Sequence, residues 1–132
     1  MAKATNAART LINTRGTVAD PDYVEEEIKK VFDEYDGNGK VVYESIVGDD
    51  LEKRGLNMIY NVGKGASSPP RLVIVEYIGA PKSKEKIALV GKGITYDTGG
   101  LHLKLSHGMD KMYYDKAGAS AVLGAMKGTF SL

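Results

Sequence analysis

Apolar residues recur along the chain with two different spacings. Intervals of three to four residues, typical of one face of a helix, alternate with short apolar runs and two-residue alternation, which are typical of strands. The predicted helices cover Ala2–Ile12, Pro21 to about Tyr35, Leu51–Arg54 and Asp115–Met126. The predicted strands cover Lys40–Ile46, Arg71–Tyr77 and Lys86–Val90. Because helices and strands interleave, we expect an α/β fold, with a mixed β-sheet flanked by helices.

Turn-forming residues separate these elements. Asp20-Pro21 is a strong helix start, because proline fits the first helical turn. The run Asp36-Gly37-Asn38-Gly39 predicts a tight turn, and Gly55 ends the short third helix. Residues Asn57–Val62 fit either a strand or a helix. The polar turn Gly79–Glu85 is short, so the two strands on either side of it are predicted to pair antiparallel.

The segment Val90–Asp115 concentrates polar chemistry directly after the apolar run Ile87–Val90, which is predicted to be a buried strand. Side chains that follow the carboxyl end of a strand lie where open α/β sheets form ligand clefts. Among several glycines the segment carries two lysines and two aspartates: Lys92, Asp97, Lys104 and Asp115.

Two carboxylates that converge on one point repel each other unless a cation lies between them. Asp97 and Asp115 therefore predict a divalent-metal site, to which a neutral Lys92 amine could add a nitrogen ligand. The alternative is an ordinary glycine turn with a solvated lysine. Spacing alone leaves both interpretations open, because neither a His-x-x-x-His motif nor a cysteine pair accompanies the aspartates.

Composition excludes several classes of protein. The 132 residues suit a single domain, and 18 basic against 17 acidic residues give a net charge of +1, which offers no charge surplus for nucleic acid or an acidic membrane. With no cysteine, disulfides and thiolate metal sites are absent. The chain shows no apolar N-terminal stretch typical of a signal peptide or membrane span, so we expect a soluble, cytoplasmic protein.

The two Gly-Lys-Gly sequences, at Gly63 and Gly91, are not phosphate-binding loops. Such a loop needs a glycine five residues before the Gly-Lys pair and a serine or threonine after the lysine. Met58 and Lys86 occupy the first position, and glycine follows each lysine. A nucleotide-binding function is therefore excluded on spacing.

The sequence VGKGITYDTGG, followed by Lys104, by GMDKM and by Asp115-x-x-Gly, resembles the signature of the leucyl aminopeptidase family. Members of this family are dinuclear-metal exopeptidases that remove N-terminal residues from peptides. The similarity is collinear and continues through ARTLINT at Ala8–Thr14, VGKGASSPPRLVIVEY at Val62–Tyr77 and AGASAVLGAM at Ala117–Met126. It therefore covers nearly the whole chain.

The resemblance implies a role for each residue of the segment. Lys92 would be an amine ligand to one of two divalent metals, Asp97 would bridge both, and Asp115 would bind the first metal and the amino terminus of a peptide substrate. Lys104 would be the catalytic residue that polarises the scissile carbonyl, and Met112 would form a wall of the substrate pocket. The implied metals are zinc or manganese, or else cobalt or magnesium, and the implied assembly is a homohexamer.

The sequence also departs from the family. A later Asp-x-Glu-x-Arg segment supplies the other carboxylate ligands and an arginine that holds a bicarbonate base, and no such segment follows Asp115 here. We therefore expect residues 1–132 to be the first half of a catalytic domain, without the family's N-terminal domain, with little activity alone and at most one well-held metal. The alternative is a non-catalytic module that binds metal or a partner chain.

Smaller departures lie close to the site. Tyr113-Tyr114 replaces the usual basic residue before Asp115, and Ala117 stands where a glycine is usual. His102 and His107 flank Lys104, and each is either solvated or an additional ligand.

Overall fold

The computed structural model describes residues 1–35, 37 and 39–130, which belong to two compact units. Residues 1–35 and the described residues from 87 onward form the first unit, and the described residues between 36 and 86 form the second. The helices are α1 (Ala2–Asn13), α2 (Pro21–Asp33), α3 (Asp49–Lys53), α4 (Asn57–Gly63), α5 (Ser106–Met109) and α6 (Ala117–Thr129), with a 3₁₀ turn at Met112–Tyr114. The strands are β1 (Lys40–Val47) and β2 (Arg71–Ile78). The predicted α/β class is confirmed, whereas the assignment of residues 1–132 to a single partial domain stays a prediction.

In the first unit, α1 packs against α6 at close range. A Cβ atom on Gly124 would lie 3.0 Å from the Cβ of Ala8 and 3.1 Å from the carbonyl oxygen of Ala4, so glycine permits this separation. Apolar side chains from three helices fill the interior beside this contact: Leu11, Val24, Val31 and Leu123, with Tyr23, Ile28 and Phe130 packed against them. The small residues of α6 thus serve close helix packing.

Helix α2 begins as its sequence predicts. The Asp20 side chain accepts a hydrogen bond from the Tyr23 backbone N–H at 2.8 Å, and Pro21 occupies the first turn. The first backbone N–H groups of a helix have no acceptor within the helix. Asp20 provides an acceptor for one of them, and Pro21 has no backbone N–H that would need one. The helix ends at Asp33, two residues before the predicted end.

The second unit contains an antiparallel pair of strands. Strands β1 and β2 pair along their full length, from Lys40 opposite Ile78 to Val47 opposite Arg71. Leu51 of α3 is fully buried, which anchors this short helix. Residues 57–63, which fit either a strand or a helix by sequence, form α4. Of the predicted turn at residues 36–39, Asp36 and Asn38 lie outside the described residues.

One predicted strand is wrong. Residues 86–90 form no strand, and Ile87 and Val90 are 92% and 93% exposed rather than buried. The predicted antiparallel partner of this run, β2, pairs with β1 instead. The sheet found among the described residues therefore has two antiparallel strands. An apolar run becomes a strand only where a neighbouring strand offers backbone hydrogen bonds, and periodicity does not report that neighbour.

Two further details concern helices. The last long helix begins at Ala117, two residues after the predicted start, so Asp115 lies just before it rather than in its first turn. Among the residues that the structure describes, none of the helices combines the length and the apolar character that crossing a membrane would require.

Candidate active site

A glycine turn folds Lys104 back onto Asp97. Gly99 and Gly100 have φ angles of 91° and 68°, in the left-handed region that glycine adopts without strain. The Gly99 backbone N–H donates to Asp97 Oδ1 at 2.8 Å, and the Lys104 backbone N–H donates to the Thr98 carbonyl at 2.9 Å. A Cβ atom on Gly99 would lie 2.2 Å from the His102 carbonyl oxygen, so only glycine fits there. The turn therefore fixes the Asp97 carboxylate and brings the Lys104 side chain to it.

The two lysines and two aspartates form one charge cluster. Lys104 Nζ lies 2.7 Å from Asp97 Oδ2, and Lys92 Nζ lies 2.8 Å from Asp115 Oδ2. The Lys92 ammonium also lies 4.0 Å from Asp97 Oδ2, which links the two pairs. Two positive and two negative charges thus balance within a few ångströms.

Met112 contacts the charge cluster through its side chain and through its backbone carbonyl. Its sulfur accepts a hydrogen bond from Lys104 Nζ at 3.3 Å. Its carbonyl oxygen accepts from the backbone N–H of Asp97 at 3.3 Å and from that of Asp115 at 3.4 Å. The two aspartates are therefore held by a common backbone acceptor, and the residues predicted for the site come together: Lys92, Asp97, Lys104, Met112 and Asp115.

One oxygen of this cluster has an incomplete environment. Asp115 Oδ2 is buried and has no hydrogen-bond partner among the described residues, although the Lys92 ammonium approaches it as an ion pair. A buried carboxylate oxygen normally accepts hydrogen bonds or binds a cation. This oxygen could therefore bind a cation where it now faces the Lys92 ammonium, once that amine has lost its proton.

The charge cluster shifts pKa values in opposite directions. The hydrogen bond from Lys104, followed by that from the Gly99 backbone N–H, lowers the pKa of Asp97. The close approach of the Asp115 carboxylate raises the pKa of Lys92 and outweighs its partial desolvation. In this arrangement Lys92 is an ammonium ion and Asp97 a carboxylate at neutral pH.

Two glycines allow the segment of Lys92 to lie against the start of α6. A Cβ atom on Gly118 would lie 2.7 Å from the Lys92 backbone nitrogen, and one on Gly91 would lie 2.5 Å from the Gly118 carbonyl carbon. The Ala119 backbone N–H donates to the Lys92 carbonyl at 2.8 Å. This close backbone contact places Lys92 beside Asp115, just before α6.

Sequence reasoning missed Lys116. This residue is fully buried and precedes α6, and burial lowers the pKa of its ammonium group. A usable signal was present, because Lys116 directly precedes Ala117–Met126, a helix sequence of small and apolar residues that contains no charge.

Histidine, cysteine and further acidic side chains give less support for a metal site. The His102 and His107 side chains are exposed, and no described contact joins them to the cluster. Within residues 1–35, 37 and 39–130, no group of three or more histidine, cysteine, aspartate or glutamate residues could hold a metal ion. A cation here would therefore depend on the two aspartates together with a lysine nitrogen or water.

Comparison with known proteins identifies the family of this chain. Residues 6–132 match the cytosol aminopeptidase family, catalytic domain. A protein of Aquifex aeolicus named "Probable cytosol aminopeptidase" is 44% identical over 126 residues, which are 96% of this chain and 25% of that protein. A protein of the same name from Halorhodospira halophila is 42% identical, over 94% of this chain and 24% of its own length.

Solved structures give the same result. The leucine aminopeptidase of Caenorhabditis elegans superposes with a TM-score of 0.87 at 36% identity, covering 98% of this chain and 25% of its own. The leucyl aminopeptidase of Trypanosoma cruzi gives a TM-score of 0.85 at 33% identity, with coverage of 98% and 25%. The chain thus spans about a quarter of the length of the relatives that it matches. Since the family match spans residues 6–132, nearly the whole of this sequence, this chain belongs to the cytosol aminopeptidase family.

Proposed function

We propose that the charge cluster is part of a metal-dependent aminopeptidase centre that acts on peptides with a free N-terminus. The observation that carries this proposal is the convergence of Asp97 and Asp115 on the Lys92 ammonium, at 4.0 and 2.8 Å. Two carboxylates so close together are stable only with positive charge between them. A divalent cation could provide that charge in place of the lysine.

The donor set fits a divalent cation. Asp115 Oδ2 is buried and faces the Lys92 ammonium at 2.8 Å, and Asp97 Oδ1 accepts from the Gly99 backbone N–H of the glycine turn. Asp97 and Asp115 would hold the metal, with Lys92 as a nitrogen ligand once it has lost its proton. When bound, such a cation acts as a Lewis acid and makes a coordinated water more acidic. Zinc and manganese are the proposed metals, with cobalt and magnesium as alternatives.

Lys104 is the proposed catalytic residue. Among the described residues, its ammonium group donates to Asp97 and to the Met112 sulfur, so one of its three N–H bonds is left for a substrate oxygen. A cationic donor held in this way stabilises the negative charge that develops on the carbonyl oxygen during peptide hydrolysis. Met112 would contact the N-terminal side chain of the peptide, and Asp115 would attract its ammonium group.

Residues 116–132 contain no aspartate or glutamate, so this stretch adds no carboxylate to the cluster. The spacing Asp-x-Glu-x-Arg occurs once, earlier in the chain, at Asp50–Arg54, where Arg54 caps the C-terminal end of α3. There Asp50 pairs with Lys53 at 2.7 Å, and Arg54 pairs with Glu44 at 2.6 Å. We therefore propose that residues 1–132 by themselves hold one metal ion better than a second and turn over slowly. This makes metal binding without catalysis the second candidate function.

Calorimetric titration with manganese or zinc tests the metal site. Asp97→Ala and Lys92→Ala should each weaken binding, and Lys111→Ala is the matched control, because Lys111 lies in the same segment outside the cluster. Unchanged affinity in both cluster variants would exclude these residues as ligands.

Release of a free N-terminal amino acid by the purified 132-residue chain tests catalysis. Lys104→Ala serves as the blank for contaminating peptidase. Without further carboxylates or a base we expect a rate well below the ordinary enzyme range of about 1 to 1,000 per second. Turnover of about 1 per second that disappears in Lys104→Ala would show that these residues suffice. A cytoplasmic location, in keeping with the relatives' name of cytosol aminopeptidase, and a homohexameric assembly, which the family resemblance implies, complete the proposal.

A further inference from the structure

The buried Lys116 side chain connects the end of α1 to the segment that carries Asp115. Its ammonium donates to the Thr14 carbonyl at 2.7 Å, to the Ile12 carbonyl at 3.4 Å and to the Tyr113 carbonyl. Three N–H donors thus meet three carbonyl oxygens, and no carboxylate pairs with this lysine in the described part of the chain. A lysine that is fully buried is rare unless its charge is compensated.

The end of α1 provides that compensation. Ile12 lies in the last turn of α1 and Thr14 caps it, so their carbonyls belong to the negative end of the helix. The Arg15 guanidinium lies 4.3 Å from the centre of the Tyr113 ring, which adds a second contact between the same two segments. These contacts hold the backbone at Tyr113 close to α1.

The backbone of Lys116 fixes the start of α6. Its carbonyl oxygen accepts from the Ser120 backbone N–H and from the Ser120 hydroxyl, each at 2.9 Å. Asp115 therefore lies between two anchored points, the Tyr113 carbonyl on one side and the first turn of α6 on the other. Among the described residues, the Asp115 backbone N–H donates one long hydrogen bond, to the Met112 carbonyl at 3.4 Å.

We propose that Lys116 is a positioning residue, whose ammonium links α1 to the Tyr113–Lys116 segment and thereby holds the Asp115 carboxylate beside Lys92 and Asp97. Lys116 does not act as a ligand, because all three of its donors are used by carbonyl oxygens. This inference rests on the metal site proposed above and adds a residue to its support.

Calorimetric titration of the 132-residue chain with manganese tests this role. Lys116→Met keeps an unbranched side chain one atom shorter and removes its donors, so we expect affinity to fall by about tenfold or more, as for other residues that orient metal ligands. Lys116→Gln keeps two donors and should lose less. Ser120→Ala is the matched control: it removes the Ser120 hydroxyl but keeps the Ser120 backbone N–H bonded to the Lys116 carbonyl and leaves the ammonium in place, so its affinity should stay within about twofold of the wild-type value.

All affinities are measured at a temperature where melting curves show each variant to be folded. Wild-type affinity in Lys116→Met, or an equal loss in Ser120→Ala, would overturn the proposal. If Lys116→Met does not fold, Lys116→Gln decides in its place: a several-fold loss supports the positioning role and unchanged affinity refutes it.

Metal-free NMR separates this inference from the proposed function. Lys116→Met should shift the backbone amide resonances of Asp115 and Asp97, whereas Ser120→Ala should leave Asp97 unchanged. A wild-type chain that binds no cation would refute the metal site, and the amide shifts would still test the positioning role. Unshifted Asp115 and Asp97 amides in Lys116→Met would refute that role by themselves.

Discussion

Adding one methyl group at Gly118 should damage the site more than it damages the fold. A Cβ atom there would lie 2.7 Å from the Lys92 backbone nitrogen and 3.2 Å from the Lys92 carbonyl oxygen. Ordinary van der Waals contact begins near 3.4 Å, so the Lys92 backbone and α6 must separate by about 0.7 Å. Overpacking of this kind costs about 1 to 3 kcal/mol, against a helix-propensity gain of up to about 1 kcal/mol for alanine over glycine. We expect Gly118→Ala to lower the free energy of unfolding by about 0 to 3 kcal/mol.

The effect on metal affinity should be larger. Lys92 Nζ and Asp115 Oδ2 lie 2.8 Å apart, on the two segments that the new methyl group would separate. Metal–ligand distances vary by only about 0.2 Å in established sites, so a displacement of about 0.7 Å would remove Lys92 or Asp115 from a common cation. Affinity for manganese or zinc should therefore fall by about tenfold or more, as expected when a ligand is displaced.

Gly124→Ala is the matched control in the same helix. Its Cβ atom would lie 3.0 Å from the Cβ of Ala8 and 3.1 Å from the carbonyl oxygen of Ala4, a tight contact with α1 that does not involve the charge cluster. Chemical denaturation measures the free energy of unfolding of both variants, and calorimetric titration measures their metal affinity. Equal loss of affinity in the two variants, or none in Gly118→Ala, would refute the view that the Gly118–Lys92 contact sets the ligand geometry.

Three further predictions concern the fold. Leu51→Ala removes a fully buried side chain and should lower the free energy of unfolding of the second unit by about 2 to 5 kcal/mol, measured by hydrogen exchange of β1 and β2 amides. Asp20→Ala removes the cap of α2 and should cost about 0.5 to 2 kcal/mol in chemical denaturation, whereas Asp20→Asn should cost less because it keeps the acceptor. Ile87 and Val90 are almost fully exposed, so the chain should self-associate, as measured by sedimentation. The double variant Ile87→Lys with Val90→Lys should reduce this self-association, and a wild-type monomer at high concentration would contradict the prediction.

The helices were predictable because their signals are local. The Asp20-Pro21 start of α2 and the Gly55 end of α3 act through neighbouring backbone groups, so the sequence carries the whole cause. The run at residues 86–90 was not predictable in this way, because whether it becomes a strand depends on a partner elsewhere in the chain. Its apolar composition is equally consistent with a surface that another segment or chain covers.

The candidate site likewise has features that the sequence reveals and features that only the tertiary structure reveals. Its residues could be named from the sequence, because the glycines of the Asp97-Thr98-Gly99-Gly100 turn and the ordered series of lysines and aspartates form a recognisable motif. The motif does not give the distances among them. Those depend on the contact between Gly91 and Gly118 and on the shared acceptor at Met112, which join positions far apart in sequence.

The sequence by itself therefore determined the family, the helices with strong terminal signals and the identity of the charged residues that converge. Only the tertiary structure decided that β2 pairs with β1, that residues 86–90 are exposed, and that Lys116 is buried against the end of α1. The physical reason is the range of the interactions. Caps, turns and periodicity act within a few residues, whereas strand pairing, burial of a charge and close backbone contact depend on segments that the fold brings together.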